Sequence, residues 1–180
     1  MTTEPTEEQF TNQIGDHAEI WSIVDNALLG IGVTRETGFM DVIVSVETDE
    51  IVEASRALRD DEDANFDYLR SLTAVDNMAD GMEVVYHLYS ISKKHNVTVK
   101  VFLSNESLRL PTVTGIWPAA NWLEREVAEM FGIKFSGHPD PRNLLMPEEI
   151  DDTFPLRKDH PLAEIEVLQG EGMGYSGEEL

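Results

Sequence analysis

Residues 82–104 read MEVVYHLYSISKKHNVTVKVFLS, and this stretch decides the predicted fold. Its first part, 82–91, is rich in β-branched and aromatic residues, as strands are. Its second part, 96–104, alternates, and the apolar side chains on one side are Val97, Val99, Val101 and Leu103. The polar connection SKKHN (92–96) is short enough to join neighbouring strands. We therefore predict an antiparallel hairpin.

Upstream of the hairpin, the sequence predicts another strand and a helix. FMDVIVSVE (39–47) alternates between apolar and polar residues, and TDEIVEASRALRDD (48–61) has apolar residues at helical spacing. Residues 17–33 also fit a helix, and 66–77 fit a short turn or helix that runs into an extended segment. This order of elements predicts an α+β domain over residues 1–116, with helices on one face of a mixed, partly antiparallel sheet.

The second half of the chain predicts one helix followed by an irregular segment. Pro118 stands where a helix tolerates proline, and Gly132 fits a C-cap, so we predict a helix over 117–132. Prolines and glycines then interrupt every possible helix or strand. Residues 133–165 nevertheless keep apolar side chains that a solvated linker would lack. We expect an extended C-terminal tail that wraps around a partner.

Composition excludes several classes of function. The 180 residues include no cysteine, which excludes disulfides, thiolate nucleophiles and cysteine-ligated iron–sulfur or zinc sites. The net charge of −22 argues against nucleic acid and anionic lipid as partners. No signal peptide and no apolar run of membrane-spanning length is present, which predicts a cytosolic chain without direct membrane insertion. We expect residues 1–5 and the acidic tail 166–180 to be disordered.

A metal-dependent hydrolase is one alternative. Its site would use His138, Asp140, Asp159 and His160, all in the irregular segment. Their spacing matches no helical pair of metal ligands such as HExxH, and the chain contains no GxSxG, GxGxxG or GxxxxGK[ST].

Single arginines among apolar residues favour a binding surface. Arg125 lies between two glutamates on the predicted helix, and Arg142 and Arg157 stand among prolines and apolar residues. An isolated surface ion pair contributes only some tenths of a kcal/mol. Arginines in an apolar setting are typical of interface hot spots instead.

These residues resemble the signature of a known family. Glu124-Arg125-Glu126, Glu129-Met130-Phe131, His138, Arg142 and Leu144-Leu145 are similar to those of the 30-kilodalton subunit of respiratory complex I. In bacteria this is the C subunit of NADH-quinone oxidoreductase. The resemblance continues in FPLRKDHPL (154–162), and a weaker one covers 66–104.

The resemblance implies a non-catalytic structural subunit in the peripheral arm of a proton-translocating complex, on the cytoplasmic side of the membrane. Its partners would be the 49-kilodalton-type quinone-site subunit and neighbouring iron–sulfur subunits, and the FMN, iron–sulfur clusters and quinone would lie in other chains. The equivalent subunit of an F420H2- or ferredoxin-linked dehydrogenase, or of a membrane-bound hydrogenase, is the alternative. The expected partner interface comprises Glu124, Arg125, Glu126, Glu129, His138, Arg142, Leu144, Leu145, Arg157 and Lys158.

Overall fold

The computed structural model describes residues 18–37, 42–147 and 153–160. The predictions for residues 1–5 and 166–180, and part of the prediction for 133–165, lie outside these ranges. No helix within the described ranges combines the length and the apolar character that a membrane span requires.

The described elements follow one another as helices, strands and one short 3-10 helix. In chain order they are α1 (18–27), β1 (Val33–Thr37), β2 (Val42–Val46), α2 (Ile51–Asp60), β3 (Tyr68–Asp76), the 3-10 helix (Met78–Asp80), β4 (Met82–Tyr89), β5 (Asn96–Leu103), β6 (Arg109–Pro111), α3 (Ala120–Phe131) and β7 (Lys134–Ser136).

The first five of these strands form a mixed sheet in the order β1-β2-β5-β4-β3. The predicted hairpin is confirmed, because β4 and β5 pair antiparallel along their whole length, from Met82 opposite Leu103 to Tyr89 opposite Asn96. Strands β1 and β3 also pair antiparallel with their neighbours, whereas β2 runs parallel to β5. Strands β6 and β7 form a separate parallel pair.

One face of the five-stranded sheet carries the core. Val44, Val99, Tyr86 and Leu72 lie opposite one another across four adjacent strands, and all four are buried. The buried side chains of α1, α2 and α3 pack into the same cluster. Each fully buried large apolar side chain contributes about 1.5–3 kcal/mol. The α+β fold with helices on one face of a mixed sheet is therefore confirmed.

The opposite face of the sheet is polar at its centre. The Lys100 ammonium donates to Glu36 Oε2 at 2.9 Å and lies 3.9 Å from Glu83 Oε2. Ser45 Oγ donates to the other oxygen of Glu36 at 2.5 Å. This network pairs the charged and polar side chains in the middle of that face with one another.

Several element predictions need correction. Residues 68–76 form strand β3, where we expected a turn or helix followed by an extended segment; a register shift between Leu69 and Ser71 breaks the simple alternation. Strands β1, β6 and β7 were not predicted, because β1 is largely polar and the others have three residues each. Helix α3 begins at Ala120, after a turn that contains Trp117 and Pro118.

Candidate functional site

Helix α3 buries a carboxylate in its apolar stripe. Ala120, Glu124, Val127 and Phe131 recur at intervals of three or four residues and face the core. Glu124 is 0% exposed, so its carboxyl group avoids a large desolvation penalty through hydrogen bonds and through a raised pKa that favours the neutral form.

Glu124 anchors the loop that leads into α3. Its Oε1 accepts a hydrogen bond from the Val113 N–H at 2.8 Å, and its Oε2 accepts one from Thr112 Oγ1 at 2.5 Å. Burial raises the pKa of Glu124 to about 7, and these two hydrogen bonds oppose the increase. The carboxyl group therefore changes its protonation near neutral pH.

Two further polar groups lie around Glu124. The hydroxyl of Tyr86 is buried and has no hydrogen-bond partner among the described residues. Burial raises the pKa of Tyr86 well above its ordinary value, and the charge of Glu124 raises it further. The second group is His138, whose Nε2 is 3.9 Å from Glu124 Oε2.

His138 connects the irregular segment to the start of α3. Its Nδ1 accepts a hydrogen bond from the Asp140 N–H at 3.1 Å, so we assign the ring proton to Nε2. Nε2–H then donates to the carbonyl of Asn121 at 3.1 Å. The side chain is only 3% exposed.

Arg125 holds residues 142–143 of the irregular segment that follows α3. Its Nε donates to the carbonyl of Arg142 at 2.7 Å, and its Nη2 donates to that of Asn143 at 2.8 Å. The guanidinium carbon lies 5.2 Å from the centre of the Trp122 ring, in cation–π range. The Arg125 side chain is 10% exposed, so it acts chiefly as an internal clamp.

Glu129 holds residues 144–146 of the same segment through three consecutive backbone amides. Its Oε2 accepts from the N–H groups of Leu144 at 3.2 Å and Leu145 at 3.0 Å, and its Oε1 accepts from that of Met146. Hydrogen bonds to a charged acceptor are stronger than neutral ones. They compensate the carboxylate for its burial, since the residue is 7% exposed.

The three attachment points give the segment a direction. Asn121, Arg125 and Glu129 are four residues apart and share one stripe of α3, with about 6 Å of helix rise between them. They contact His138, then 142–143, then 144–146. The segment therefore runs parallel to α3. A cavity of about 350 Å³ lies between them.

Residues 153–160 close the C-terminal end of α3. The Leu156 N–H donates to the carbonyl of Met130 at 3.2 Å, and Arg157 Nε donates to that of Phe131 at 2.7 Å. Both carbonyls belong to the last turn of the helix, whose C-terminal end attracts a cation. Gly132 adopts a φ of +76°, which confirms the predicted glycine C-cap.

The same segment also reaches strand β3. Asp76 Oδ2 accepts from the Lys158 N–H at 2.8 Å, and Oδ1 accepts from the Met78 N–H at 2.7 Å. These two backbone hydrogen bonds hold the pKa of Asp76 below its usual range. The Lys158 residue itself is exposed to solvent.

Residues 44–166 match the family model described as "Respiratory-chain NADH dehydrogenase, 30 Kd subunit". The chain belongs to this family. The match includes α3 and every described residue of the segment that lies on it. The predicted family resemblance is thereby confirmed.

Relatives of the 30 Kd subunit family include unfused and combined chains. The C subunit of NADH-quinone oxidoreductase from Roseiflexus castenholzii is 40% identical over 152 residues, which are 83% of this chain and 84% of that protein. The combined C/D subunit of NADH-quinone oxidoreductase from Methylococcus capsulatus is 44% identical over 126 residues, covering 65% of this chain and 21% of that one.

Solved structures show the same architecture. A fragment of Nqo5, described as trypsin-resistant, is 28% identical, with a TM-score of 0.55, and covers 67% of this chain and 98% of the fragment. A chain of an archaeal membrane-bound sulfane sulfur reductase has a TM-score of 0.72 and covers 91% of this chain and 96% of that one. At 24% identity, the second likeness concerns the fold alone.

The residues of this chain that we expected at a partner interface fall into two groups. Glu124, Glu129 and the His138 side chain are buried, and Arg125 is nearly so. Arg125, Glu129 and His138 attach the segment to α3, whereas Glu124 holds the loop that precedes α3. The other group is at least partly accessible to solvent and comprises Glu126, Arg142, Leu144, Leu145, Arg157 and Lys158. A partner-contacting role for either group stays a prediction.

The structure does not assemble the alternative metal site. His138 uses Nδ1 to accept the Asp140 amide, and both carboxylate oxygens of Asp140 accept from Arg142, at 2.7 and 2.8 Å. Within 18–37, 42–147 and 153–160, no three His, Asp or Glu side chains could hold a metal ion together.

Sequence reasoning missed the residues outside α3 that surround Glu124 or bind the Lys158 amide. Tyr86, Thr112 and Asp76 come from strands and loops outside α3, so no local spacing indicates them. One signal was available. Glu124 occupies an apolar position of the helix, which indicates a buried and hydrogen-bonded carboxyl group.

Proposed function

We propose that this chain is a non-catalytic structural subunit in the quinone module of a proton-translocating NADH-quinone oxidoreductase. Membership of the 30 Kd subunit family places it among the subunits of an oxidoreductase complex. The proposal adds that it docks on the 49-kilodalton-type quinone-site subunit and does no chemistry itself. The observation that carries it is the fixing of 138–146 and 156–158 on α3 and β3, which gives an otherwise irregular segment a defined outer surface.

The contacts of the titratable signature residues support a structural role. Glu124, Arg125, Glu129 and His138 all bind backbone groups of this chain. Their hydrogen-bonding capacity therefore serves to hold loops and the segment in position. In this proposal the FMN, iron–sulfur clusters and quinone belong to neighbouring subunits, on the cytoplasmic side of the membrane.

The name of one relative supports the choice of partner. The Methylococcus capsulatus protein is named as a combined C/D subunit, and this chain covers about a fifth of it. A polypeptide named for both subunits keeps them at high effective concentration. We take its D portion as the 49-kilodalton-type quinone-site subunit.

Co-purification tests the proposal. The full-length tagged chain is expressed with its 49-kilodalton-type subunit and the other peripheral-arm subunits, and the complex is isolated in mild detergent. The 49-kilodalton-type subunit and its iron–sulfur neighbours should follow the tag, and the donor-side subunits present will distinguish an NADH complex from an F420H2- or ferredoxin-linked one. Isolation of the tagged chain without the 49-kilodalton-type subunit would contradict the proposal.

Arg125→Ala provides a sharper version of this experiment. The substitution releases the carbonyls of Arg142 and Asn143 and should reduce the recovered 49-kilodalton-type subunit several-fold, while the isolated variant stays folded by circular dichroism. Arg70→Ala, at an exposed position of β3, is the matched control and should leave recovery unchanged. Wild-type recovery with Arg125→Ala would count against a docking role for the segment.

A further inference from the structure

We propose that Glu124 and His138 form a pH-sensitive switch at the start of the segment. When the Glu124 carboxyl group is neutral, His138 Nε2–H donates to the carbonyl of Asn121. When the carboxyl group is charged, the same N–H donates to Glu124 Oε2 instead. The inference goes beyond the proposed function and concerns the isolated chain, so its test needs no partner subunit.

The His138 N–H has two acceptors close to it. Its Nε2 lies 3.1 Å from the carbonyl oxygen of Asn121 and 3.9 Å from Glu124 Oε2. A hydrogen bond between nitrogen and oxygen spans about 2.9 Å, so a shift of the imidazole by about 1 Å exchanges one acceptor for the other. The Asn121 carbonyl keeps a donor after the exchange, because Asn121 and Arg125 both lie within α3 and the Arg125 N–H is its helical partner.

The charge of Glu124 decides between the two acceptors. Hydrogen bonds to an ionised acceptor are about twice as strong as those between neutral groups, and a neutral carboxyl group offers no such advantage over a carbonyl. Water competes little for either group, since Glu124 is 0% exposed and the His138 side chain 3%. The arrangement in the structure, with the N–H on the carbonyl, therefore corresponds to neutral Glu124.

The loop before α3 can bind Glu124 in both protonation states. Thr112 Oγ1 lies 2.5 Å from Glu124 Oε2 and 3.0 Å from Thr114 Oγ1. When Glu124 is charged, the Thr112 hydroxyl donates to it. When Glu124 is neutral, the carboxyl proton is donated to Thr112 Oγ1, and the Thr112 hydroxyl donates to Thr114 Oγ1. Because both states keep the loop bound, His138 is the group that changes its partner.

Titratable and charged groups from several elements line the cavity beside Glu124 or interact with its charge. They are Tyr86 of β4, Lys134 of β7, His138 and Arg142 of the segment, and Arg125 and Glu129 of α3 itself. Burial is the largest influence on the pKa of Glu124 and raises it to about 7. The carboxyl group is therefore mainly neutral below that pH and mainly charged above it, so the switch operates near neutrality.

Nuclear magnetic resonance of the full-length chain tests the switch. The Glu124 carboxyl carbon reports its ionisation, and the Hε2 proton of His138 reports the hydrogen bond. As the pH rises from about 5 to about 9, the Hε2 resonance should move downfield with the same midpoint as the carboxyl carbon, because a hydrogen bond to a carboxylate is shorter and stronger. In structures determined at the two ends of that range, the distance from Nε2 to Oε2 should fall from 3.9 Å to about 2.9 Å.

Variants assign the transition to Glu124. Glu124→Gln cannot ionise, so the His138 transition should disappear. Glu126→Gln, on the exposed side of α3, is the matched control and should keep it. Thr112→Val removes a hydrogen bond that stabilises the carboxylate and should raise both midpoints by about one pH unit, whereas Thr112→Ser should restore them. Thermal unfolding confirms that each variant is folded.

Three results would overturn the switch. The first is a Glu124 carboxyl group that does not titrate across this range. The second is a distance from Nε2 to Oε2 that is the same in the structures at both ends of it. The third is a His138 transition that persists in Glu124→Gln. None of these results bears on the proposed function, which fails only if the 49-kilodalton-type subunit is not recovered with this chain.

Discussion

At the scale of single residues, the protein depends on carboxyl groups placed where water is excluded. Glu124 stands in an apolar stripe and Glu129 under a run of backbone amides. Glu124 accepts hydrogen bonds from one hydroxyl and one backbone amide, and burial is the largest influence on its pKa. Glu129 accepts hydrogen bonds from three backbone amides. The two glutamates therefore differ in what they contribute to the fold.

Glu124 should make stability depend on pH. Its pKa rises from 4.5 to about 7 on folding, so the folded state binds this proton more tightly than the unfolded state. Its contribution is complete below about pH 4.5 and is lost as pH rises to about 7, by about 3 kcal/mol at most. Glu124→Gln should therefore gain stability relative to wild type across that window, as measured by urea unfolding. Glu126→Gln, on the more accessible side of α3, should track wild type; an unchanged profile for Glu124→Gln would contradict this account.

Gly132 should be intolerant of a side chain. Its φ of +76° is disfavoured for other residues by about 1–2 kcal/mol, and an added Cβ would lie 2.8 Å from Phe154 Cζ and collide with the Arg157 guanidinium. Gly132→Ala should lower the free energy of unfolding by at least about 1 kcal/mol. Gly115→Ala is the control, because an added Cβ there meets no atom within 4 Å. Equal stabilities for the two variants would show that the end of α3 relaxes freely.

At the scale of elements, α3 and the segment beside it behave as one layer. The segment lacks the hydrogen bonds of a helix or sheet along most of its described length, and side chains of α3 replace them. Its apolar side chains need shelter, and the contribution of a partner to that shelter stays a prediction. Part of that shelter is α3 itself, and Phe154 packs against Arg157 over Gly132.

The strength of this layer can be measured at Glu129. In Glu129→Gln the charge is lost, and the amide nitrogen that replaces one oxygen cannot accept a hydrogen bond. Hydrogen exchange at the amides of Leu144, Leu145 and Met146 should then accelerate at least about tenfold, the equivalent of about 1.4 kcal/mol. Glu126→Gln is the matched control on the same helix. Unchanged exchange would mean that other contacts hold 144–146 in place.

The sequence predicted those elements whose spacing is local. The hairpin of β4 and β5, helix α2 and the glycine at the end of α3 were predicted because alternation, helical periodicity and capping are local patterns. Strand β3 was not predicted in full, because the register shift between Leu69 and Ser71 interrupts its alternation. The attachment of the segment was also missed, because its hydrogen bonds join residues distant in sequence and carry no motif.

At the scale of the whole molecule, the most distant of these bonds joins Asp76 to Lys158. It connects an edge strand of the sheet to Lys158 in the segment, so this part of the segment should be protected in the isolated chain. The Lys158 amide should exchange slowly in wild type and at least about tenfold faster in Asp76→Ala. Asp80→Ala, at an exposed position nearby, should have no effect. Rapid exchange at Lys158 in the wild-type isolated chain would show that the segment is ordered only by its partner.

The strand order β1-β2-β5-β4-β3 also has a consequence for biosynthesis. The middle strand is the last of the five to leave the ribosome, so β1–β2 and β3–β4 emerge as two pairs that share no neighbour. Until Leu103 has emerged, each pair presents an unpaired edge on which nascent chains can aggregate or a chaperone can bind. Nascent chains arrested before β5 should accordingly be sensitive to protease, and full resistance should require α3, which completes the core, to have emerged as well.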